Sequence, residues 1–589
     1  MADPRSTTTP VRKKTKSRTR TRLMFRDIPG RPDHRECIEC SKIVSRNLDT
    51  LRRHIKSDHP DKVTTPPKPP TLTSGKRKRA FSANPVPYEC YDVDSDEEVP
   101  VWTTDDTKEA HTLLAQAMLE CALPFAIVEH PAIVALFRKH NPSYTLPCTK
   151  TLSSTYLDTV FDTTESRVKK QLTNTQVALS VDESSDGAGD PIAHVVAIPP
   201  SGVPFLLEEI PHYTEQHTAE NLLENISECS EKLAQLKTTV TGLINDNENK
   251  SLLLRQKFHE KFANTIVYTP GDPPHAAQKV FQDIVESDEF KAVNSNATFV
   301  ADKFKNTRLK QFLKQELDIE NFRWSSNMPV ITRWGTHLKM YQTLEKYREE
   351  MESVLRNDLA KPYIHADLST IIFNGQFWID LTKLISTVKP IANAITNLEG
   401  DSCISNVHKT WKELQDFYSP TNPSSSISET TKRFVLAKLN ERWNLIQDPI
   451  HTTSYLLDPR FRHLPCGKQF QTNGIKAIVN MVEDSKKEAI RVDLSKFRRC
   501  EFPFEEKAEL TENPILFWQE LSTTDEGKAL AAIALSLLQF PQSSAAVERS
   551  FSALRRVHTW QRASLGREKL AKMIYVYVNC ASLRRANKL

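Results

Sequence analysis

Alternating apolar and polar residues predict a group of strands in the first half of the chain. Three neighbouring stretches show this alternation or a short apolar run, which together predict a strand meander: Val177–Val181, Ile192–Ile198 and Val203–Leu207. Helical spacing over Leu253–Phe262 predicts a helix between two further strands, Thr239–Ile244 and Thr265–Tyr268. Strands interleaved with helices predict an α/β core.

Helical spacing dominates most of the remaining chain. It begins at Asp106 and returns over residues 336–530, with a break rich in Ser, Pro and Thr at 419–430. Close to the C-terminus, apolar residues at i, i+4 and i+7 predict a helix with one buried stripe: Val547, Phe551 and Leu554. Ser543 or Ser544 can cap this helix. Glu548 lies beside the stripe, so we expect it to be held close to the core.

Composition narrows the class of protein. The 589 residues suggest several domains, and 39% hydrophobic residues are enough for a sizeable core. The chain has 14 Gly against 35 Pro, which favours helices with Pro-rich linkers over a Gly-rich phosphate loop. No apolar run reaches about 18 residues, so no membrane span is predicted. The N-terminus has no apolar signal core.

The net charge of +5 is unevenly distributed. Residues 1–80 contain 22 Lys and Arg against 8 Asp and Glu, whereas the rest of the chain is mildly acidic. A basic N-terminal part indicates a polyanionic partner. The basic cluster Lys76–Arg79 follows a Pro-rich stretch, and it is either a nuclear import signal or an ordinary basic linker.

A candidate metal site precedes this linker. Two residues separate Cys37 from Cys40, four separate His54 from His59, and thirteen lie between the pairs. Zinc binds such Cys and His sets in a tetrahedron. The spacing therefore predicts a zinc finger that needs its metal to fold. The same segment contains four basic residues: Arg46, Arg52, Arg53 and Lys56.

The C-terminal segment resembles a known family. The run Ser543–Ser552 reads SSAAVERSFS, and it is similar to the pattern Ser-Ser-x-x-x-Glu-Arg-x-Phe-Ser of the hAT superfamily of DNA transposases. That family continues with Arg-x-x-Leu and an amphipathic helix that ends in Asn, which appear here as Arg562–Leu565 and Leu570–Asn579. The run Leu48–His54 of the N-terminal finger resembles the BED type that these transposases often carry. This resemblance implies that the basic residues of the finger face DNA, mainly its phosphates.

The resemblance implies three metal-binding carboxylates for phosphoryl transfer, at Asp182, Asp246 and Glu548, with Mg²⁺ or Mn²⁺ as the catalytic ion. Taken alone, each Asp would more often be a turn or cap residue. The Trp that commonly follows the first family aspartate is absent. Glu183 and Asp186 are therefore alternatives to Asp182.

Two other matches carry alternative interpretations. Where the family often has Cys-x-x-His, this chain has Asp272-Pro-Pro-His275, and His275 either contacts the scissile phosphate or caps a helix. Arg333 and Trp334 match a family motif that acts on a flipped base, and an aromatic ring can stack on such a base. The alternative is a core Trp at a domain boundary.

The predicted fold is multidomain α/β, with a small zinc finger, a helical domain and a ribonuclease H-like core that a long all-helical insertion interrupts. The predicted segments are a disordered basic tail (1–34), the finger (35–62), a linker (63–105), a helical DNA-binding or oligomerisation domain (106–172), the first part of the core (173–335), the insertion (336–530) and the last part of the core with the dimerisation region (531–589).

The resemblance predicts a nuclear hAT-type transposase that binds double-stranded DNA, both element ends and target, and forms a homodimer or larger homo-oligomer. Structural zinc and catalytic Mg²⁺ or Mn²⁺ are the expected cofactors. An apolar stripe near the C-terminus forms either a dimer interface or intramolecular core: Leu570, Met573, Ile574, Tyr577 and Val578. The alternative function is a domesticated, transposase-derived regulator that binds DNA and dimerises without catalysis.

Overall fold

The computed structural model describes residues 25–27, 34–37, 43–45, 103–185, 191–211, 218–262, 267–305, 307–317, 335–400, 402–423, 427–505, 511–557 and 566–588. Contacts divide the chain into two compact units, Met1–Asp92 and Val93–Leu589.

The first unit contains a three-stranded antiparallel sheet. Its strands are β1 (Phe25–Asp27), β2 (His34–Cys37) and β3 (Ile43–Ser45), and they lie in the order β1-β2-β3. Cys37 ends β2 and is fully buried. These short strands were not predicted from the sequence.

A four-stranded mixed sheet forms the centre of the second unit. It consists of β4 (Gln176–Ser185), β5 (Pro191–Ile198), β6 (Phe205–Pro211) and β7 (Thr239–Asn245), in the order β6-β5-β4-β7. The first three strands form an antiparallel meander, and β7 joins β4 in parallel. Four of the predicted strands are thereby confirmed, with small shifts of their ends. Where a fifth was predicted, Tyr268 forms an isolated parallel bridge to Gly242.

Helices make up most of the described chain. In order they are α1 (Thr104–Glu120), α2 (Pro131–His140), α3 (Thr149–Thr151), α4 (Leu157–Leu172), α5 (Ala219–Gln235), α6 (Asn249–Lys261), α7 (Pro273–Val285), α8 (Lys291–Lys303), α9 (Thr307–Leu317), α10 (Gly335–Lys346), α11 (Arg348–Arg356), α12 (Ala366–Ile372), α13 (Gly375–Glu399), α14 (Ser405–Phe417), α15 (Glu429–Ile446), α16 (Pro449–Leu457), α17 (Lys468–Val479), α18 (Lys487–Arg498), α19 (Pro514–Ser522), α20 (Lys528–Leu538), α21 (Ala545–Val557) and α22 (Arg567–Ala586). A π-helical turn, Leu152–Tyr156, joins α3 to α4.

The central sheet is covered on both faces because its side chains alternate between them. Val177, Leu179 and Val181 of β4 share a buried cluster with α5 and α6. Ile192 and Val196 of β5 point to the other face, where they join a cluster with α1, α21 and α22. The two-sided burial explains the nearly continuous apolar runs of β4 and β5.

The helices between the sheet and α21 build two further buried clusters. Helices α7 to α9 share one cluster with α10 to α15, although the sequence placed α7 to α9 with the core strands. Helices α16 to α20 form the other, which reaches the sheet at Ala178 and Ile244. Its central ring, Trp518, is fully buried and donates to the Leu457 carbonyl at 2.8 Å.

Helix α22 packs inside the chain rather than leaving an apolar stripe exposed. Leu570, Met573 and Ile574 are buried in the cluster that also contains α1 and α21, and Tyr577 and Val578 pack against it. Of the two interpretations of this stripe, the structure therefore supports intramolecular core.

A buried amide fastens α22 to the sheet. Asn579 is fully buried, and its side chain bonds both the Leu206 N–H and the Leu206 carbonyl, each at 2.9 Å. Since β6 is the edge strand, this Asn satisfies backbone groups that a neighbouring strand would otherwise bond.

The predicted α/β class is confirmed in a coarse form, as a mostly helical chain around a small mixed sheet. None of the helices among the described residues combines the length and apolar character that a membrane crossing requires.

Replacing Asn579 with Leu should destabilise the protein, because the change leaves two backbone groups of Leu206 buried without partners. Each unpaired group costs about 1–3 kcal/mol. Urea unfolding followed by tryptophan fluorescence should show the lower stability. Asn587→Leu, at an exposed position at the end of α22, is the matched control and should change little. Equal stability of the Asn579 variant and the wild type would contradict the assigned role.

Candidate active site

The parallel pairing of β4 and β7 brings two predicted acids together. Val181 of β4 lies opposite Asn245 of β7, so the residues that follow them, Asp182 and Asp246, are also neighbours. Adjacent strands are about 4.8 Å apart. Both side chains are half-buried. Two acids that are 64 residues apart in the sequence thus meet at one edge of the sheet.

Negative charge accumulates around Asp182. Burial, followed by the charge of Asp246, raises its pKa from an ordinary value near 3.8 to about 8. The charges of Glu548 and Asp272 add to the effect, and the hydrogen bond from the Glu183 N–H at 2.8 Å opposes it. The other two predicted acids, Asp246 and Glu548, therefore both lie within electrostatic reach of Asp182.

Helix α21 supplies Glu548 to this region. The stripe predicted on the helix is buried, at Val547, Phe551 and Leu554. The expectation that the core also holds Glu548 is wrong, because this residue is exposed. The stripe faces the sheet, and position 548 lies just outside it on the helical wheel. Its charge still acts on both Asp182 and Asp272.

Asp272 ties the beginning of α21 to the beginning of α7. Its carboxylate accepts the Ser544 N–H at 2.7 Å and the His275 N–H at 3.0 Å. The residue is buried, and this burial raises its pKa to about 7 against the effect of these hydrogen bonds. The sequence marked Asp272 only as a departure from the family pattern, yet it positions the segment that carries Glu548.

His275 bonds a predicted catalytic acid. Its Nδ1 lies 3.1 Å from Asp246 Oδ1. Burial alone would lower the pKa of His275, but the hydrogen bond and the charges of Asp246 and Asp272 raise it above its ordinary value. The helix cap of α7 is Asp272 and not His275. The Nε2 atom of His275 is buried and has no hydrogen-bond partner among the described residues.

A buried arginine supports the end of β7. Arg255 of α6 donates to the carbonyl of Asn245 at 3.2 Å, to the carbonyl of Asp246 at 2.6 Å and to the carbonyl of Leu445 at 3.1 Å. Its burial lowers its pKa to about 10. The guanidinium therefore fixes the backbone of Asp246 and links it to the end of α15. Nothing in the local sequence pattern distinguished Arg255 from a surface residue of a helix.

A buried histidine on β5 contacts α21 and helps to hold this helix on the sheet. His194 lies opposite Asp182 in the register of β4 and β5. It shares hydrogen bonds with Ser550 Oγ at 2.6 Å and Glu209 Oε2 at 3.1 Å, and its ring stacks on Phe551 at 4.4 Å between centroids. Together with Asp272, this network sets the position of the helix.

The donor chemistry of the cluster fits a divalent cation, although its side chains are not closed around one. Among the described residues, no three His, Cys, Asp or Glu side chains are arranged to hold a metal ion. A cation would offset both the burial of the Asp182 charge and its repulsion by Asp246, which together raise the pKa of Asp182. Next to Asp246, Asn247 presents a buried amide oxygen without a hydrogen-bond partner. A side chain at Gly271 would collide with that oxygen. Carboxylate and amide oxygens are the ligand types that Mg²⁺ prefers.

Other predicted site residues lie outside the described part of the chain. Of the four proposed zinc ligands, the structure places Cys37 alone. The following predicted site residues and motif lie outside the described residues: Cys40, His54, His59, Arg46, Arg52, Arg53, Lys56, Arg333, Trp334 and the segment Arg562–Leu565.

Comparison with known proteins supports the family resemblance at the C-terminus. Residues 493–579 match the hAT family C-terminal dimerisation region. This segment includes α21 and Glu548, and over it the resemblance predicted from the sequence is confirmed. No curated protein matches the chain.

Among solved structures, the Drosophila P element transposase strand transfer complex is similar over 80% of this chain and 93% of that chain, with 10% identity and a TM-score of 0.27. That TM-score is too low to establish a shared fold.

The raised pKa of Asp182 makes a prediction about stability and pH. Between about pH 4 and about pH 8 the folded chain keeps a proton that the unfolded chain has released, so the free energy of unfolding falls as pH rises. Asp182→Asn should reduce this slope by at most about 1.4 kcal/mol per pH unit. Urea unfolding in EDTA across this range measures it. Asp288→Asn, at an exposed turn, should keep the wild-type slope, and an unchanged slope in Asp182→Asn would refute the assignment.

Proposed function

We propose that this chain is a DNA transposase of hAT type. The observation that carries the proposal is the convergence of Asp182 and Asp246 with Glu548, which lies within the segment that matches the hAT C-terminal region. The order β6-β5-β4-β7, an antiparallel meander followed by a parallel strand, supports a ribonuclease H-like core. In such a core the acids lie at strand ends and on a late helix.

In the proposed reaction, water attacks one DNA strand at the element end. The exposed 3′ hydroxyl of the flanking DNA then forms a hairpin, and the freed element ends attack target DNA. Bound Mg²⁺ or Mn²⁺ would activate the attacking oxygen and stabilise the leaving one. Asp182, Asp246 and Glu548 would hold the ions. His275, fixed by its bond to Asp246, would direct Nε2 towards a phosphate.

Separate parts of the chain would bind and orient the DNA. The finger over residues 35–62, with zinc on Cys37, Cys40, His54 and His59, would contact phosphates through its basic residues. Arg333 and Trp334 would act on the flipped base of the hairpin step. We further propose nuclear localisation through Lys76–Arg79 and a homodimer formed through the C-terminal region.

Single changes of the three acids should separate cleavage from binding. Asp182→Asn, Asp246→Asn and Glu548→Gln should each abolish Mg²⁺-dependent cleavage of element-end DNA, because each removes one metal ligand. DNA affinity should stay within about a factor of three, since phosphate contacts supply most of it. Gel assays of cleavage and of binding measure both. Asp288→Asn is the control and should cut normally.

Cleavage by the acid variants at the wild-type rate would refute the transposase mechanism. A wild-type chain that binds its own element ends and never cuts them would instead favour the domesticated regulator.

The proposed finger predicts a local dependence on zinc. Cys40→Ser should remove about one equivalent of zinc and unfold the finger alone, because so small a module folds around its metal. Metal analysis with limited proteolysis measures both effects. Cys121→Ser, at an exposed position in the second unit, is the control and should keep its zinc. Unchanged zinc content in Cys40→Ser would show that the ligand set is wrong.

A further inference from the structure

A cavity of about 450 Å³ lies beside the acidic cluster. The loop after β7, the first turns of α6 and α7, and the end of α15 form its walls. His275 connects the two regions, because its side chain bonds Asp246 and also lines the cavity. The cavity therefore opens directly beside one of the proposed catalytic acids.

Positive charge dominates the walls of this cavity. Lys250, Lys279 and Arg442 line it, against one acidic residue, Glu248. The first turn of α6 also contributes residues to the wall, and no side chain caps it. The N-terminus of a helix carries a partial positive charge. An anion in the cavity would therefore meet cationic groups from three helices.

Protein carboxylates pair with two of the three cations. Lys250 pairs with Glu183, and Arg442 pairs with Asp283 at 2.9 Å and with Glu441 at 3.5 Å. Arg442 Nε is buried without a hydrogen-bond partner among the described residues. Lys279 is half-buried and forms no ion pair with any described residue. Lys279 therefore keeps its charge available for an anion in the cavity.

The chemistry of the walls selects the kind of anion. Stacking of a nucleotide base would need an aromatic face, and the described residues around the cavity include neither Phe, Tyr nor Trp. Ammonium and guanidinium groups beside a helix N-terminus suit a phosphate group. The adjacent acidic cluster is where the proposed function locates the cleaved bond.

We propose that the cavity beside Asp246 binds a backbone phosphate of the DNA strand being cleaved, with Lys279 as its principal ligand and Lys250, Arg442 and His275 around it. This assignment rests on the proposed transposase function. It explains why an unpaired lysine lies next to an acidic site, because Lys279 would neutralise the phosphate and hold the strand in position for the acids.

The test measures how DNA affinity depends on salt. Every protein carries Glu548→Gln, so that binding to a labelled duplex oligonucleotide is measured without cleavage, at a fixed low Mg²⁺ concentration. Lys279→Gln should weaken binding about three- to tenfold at low salt and make the plot of log affinity against log salt shallower by up to about 0.9. Lys279→Arg should retain most of the affinity. Lys291→Gln, an exposed lysine on α8 outside the cavity, should match the parent.

Three outcomes of the binding experiments would overturn the proposal. The first is parental affinity and slope in Lys279→Gln, and the second is an equal loss in Lys291→Gln. The third outcome comes from a separate experiment with inorganic phosphate alone. If phosphate raises the melting temperature of the parent and not of Lys279→Gln, while DNA binding is the same in both, the cavity binds a free anion rather than DNA.

The melting temperature also checks the fold. Lys279→Gln should melt at about the parental temperature, since Lys279 forms no ion pair with any described residue. A lower melting temperature would show that Lys279 supports the fold and would count against the proposal.

Cleavage is measured separately, with the chain in which Glu548 is restored. A chain that never cuts but shows the Lys279 effect would refute the transposase function and leave the phosphate site standing.

Discussion

The arrangement of the site depends on one buried carboxylate, Asp272. It bonds the backbone of Ser544 and of His275, and so connects two helix starts that are far apart in the sequence. Without this connection, α21 would be held on the sheet mainly by its apolar stripe and by the His194 network. Apolar packing is non-directional, whereas two hydrogen bonds to backbone N–H groups set both position and orientation. The place of Glu548 follows from them.

The same connection concentrates negative charge. Burial and the charges of Asp246, Glu548 and Asp272 raise the pKa of Asp182. Buried polar and aromatic contacts hold the elements around this cluster in place. Arg255 bonds the backbone of Asp246, His194 stacks on Phe551 of α21, and Asn579 bonds α22 to the edge strand. The scaffold thus tolerates a repulsive cluster on one side and the unpaired Lys279 on the other. The acidic cluster suits a cation, and Lys279 next to it suits a phosphate group.

Much of the local structure could be predicted from the sequence, because side-chain periodicity reports the secondary structure directly. The alternation at Val177, Leu179 and Val181 predicted β4, and the spacing of Val547, Phe551 and Leu554 predicted the buried face of α21. The same spacing did not determine that Glu548 is exposed, since the residue beside a stripe can face either way. The sequence also left open whether the apolar stripe of α22 packs inside the chain or against a second copy, because either partner would bury it.

The remaining features depend on contacts between distant residues. The local sequence around Asp272 indicates only an ordinary helix cap, whereas its hydrogen bond to Ser544 joins residues 272 positions apart in the sequence. Arg255 reads as a helix surface residue, yet it reaches the Leu445 carbonyl 190 residues away. The cavity with Lys279 needs walls from three separate helices. Such features follow from tertiary packing, which overrides local pattern.

The most direct test of the account locates a divalent ion on the protein itself. Fe²⁺ can replace Mg²⁺, and with ascorbate and peroxide it produces hydroxyl radicals that cut the nearby backbone. If Asp182, Asp246 and Glu548 share an ion, mass spectrometry of the fragments should show cuts around all three residues, and excess Mg²⁺ should suppress them together. Cuts confined to one of these segments, or cuts that Mg²⁺ does not suppress, would contradict a shared metal site.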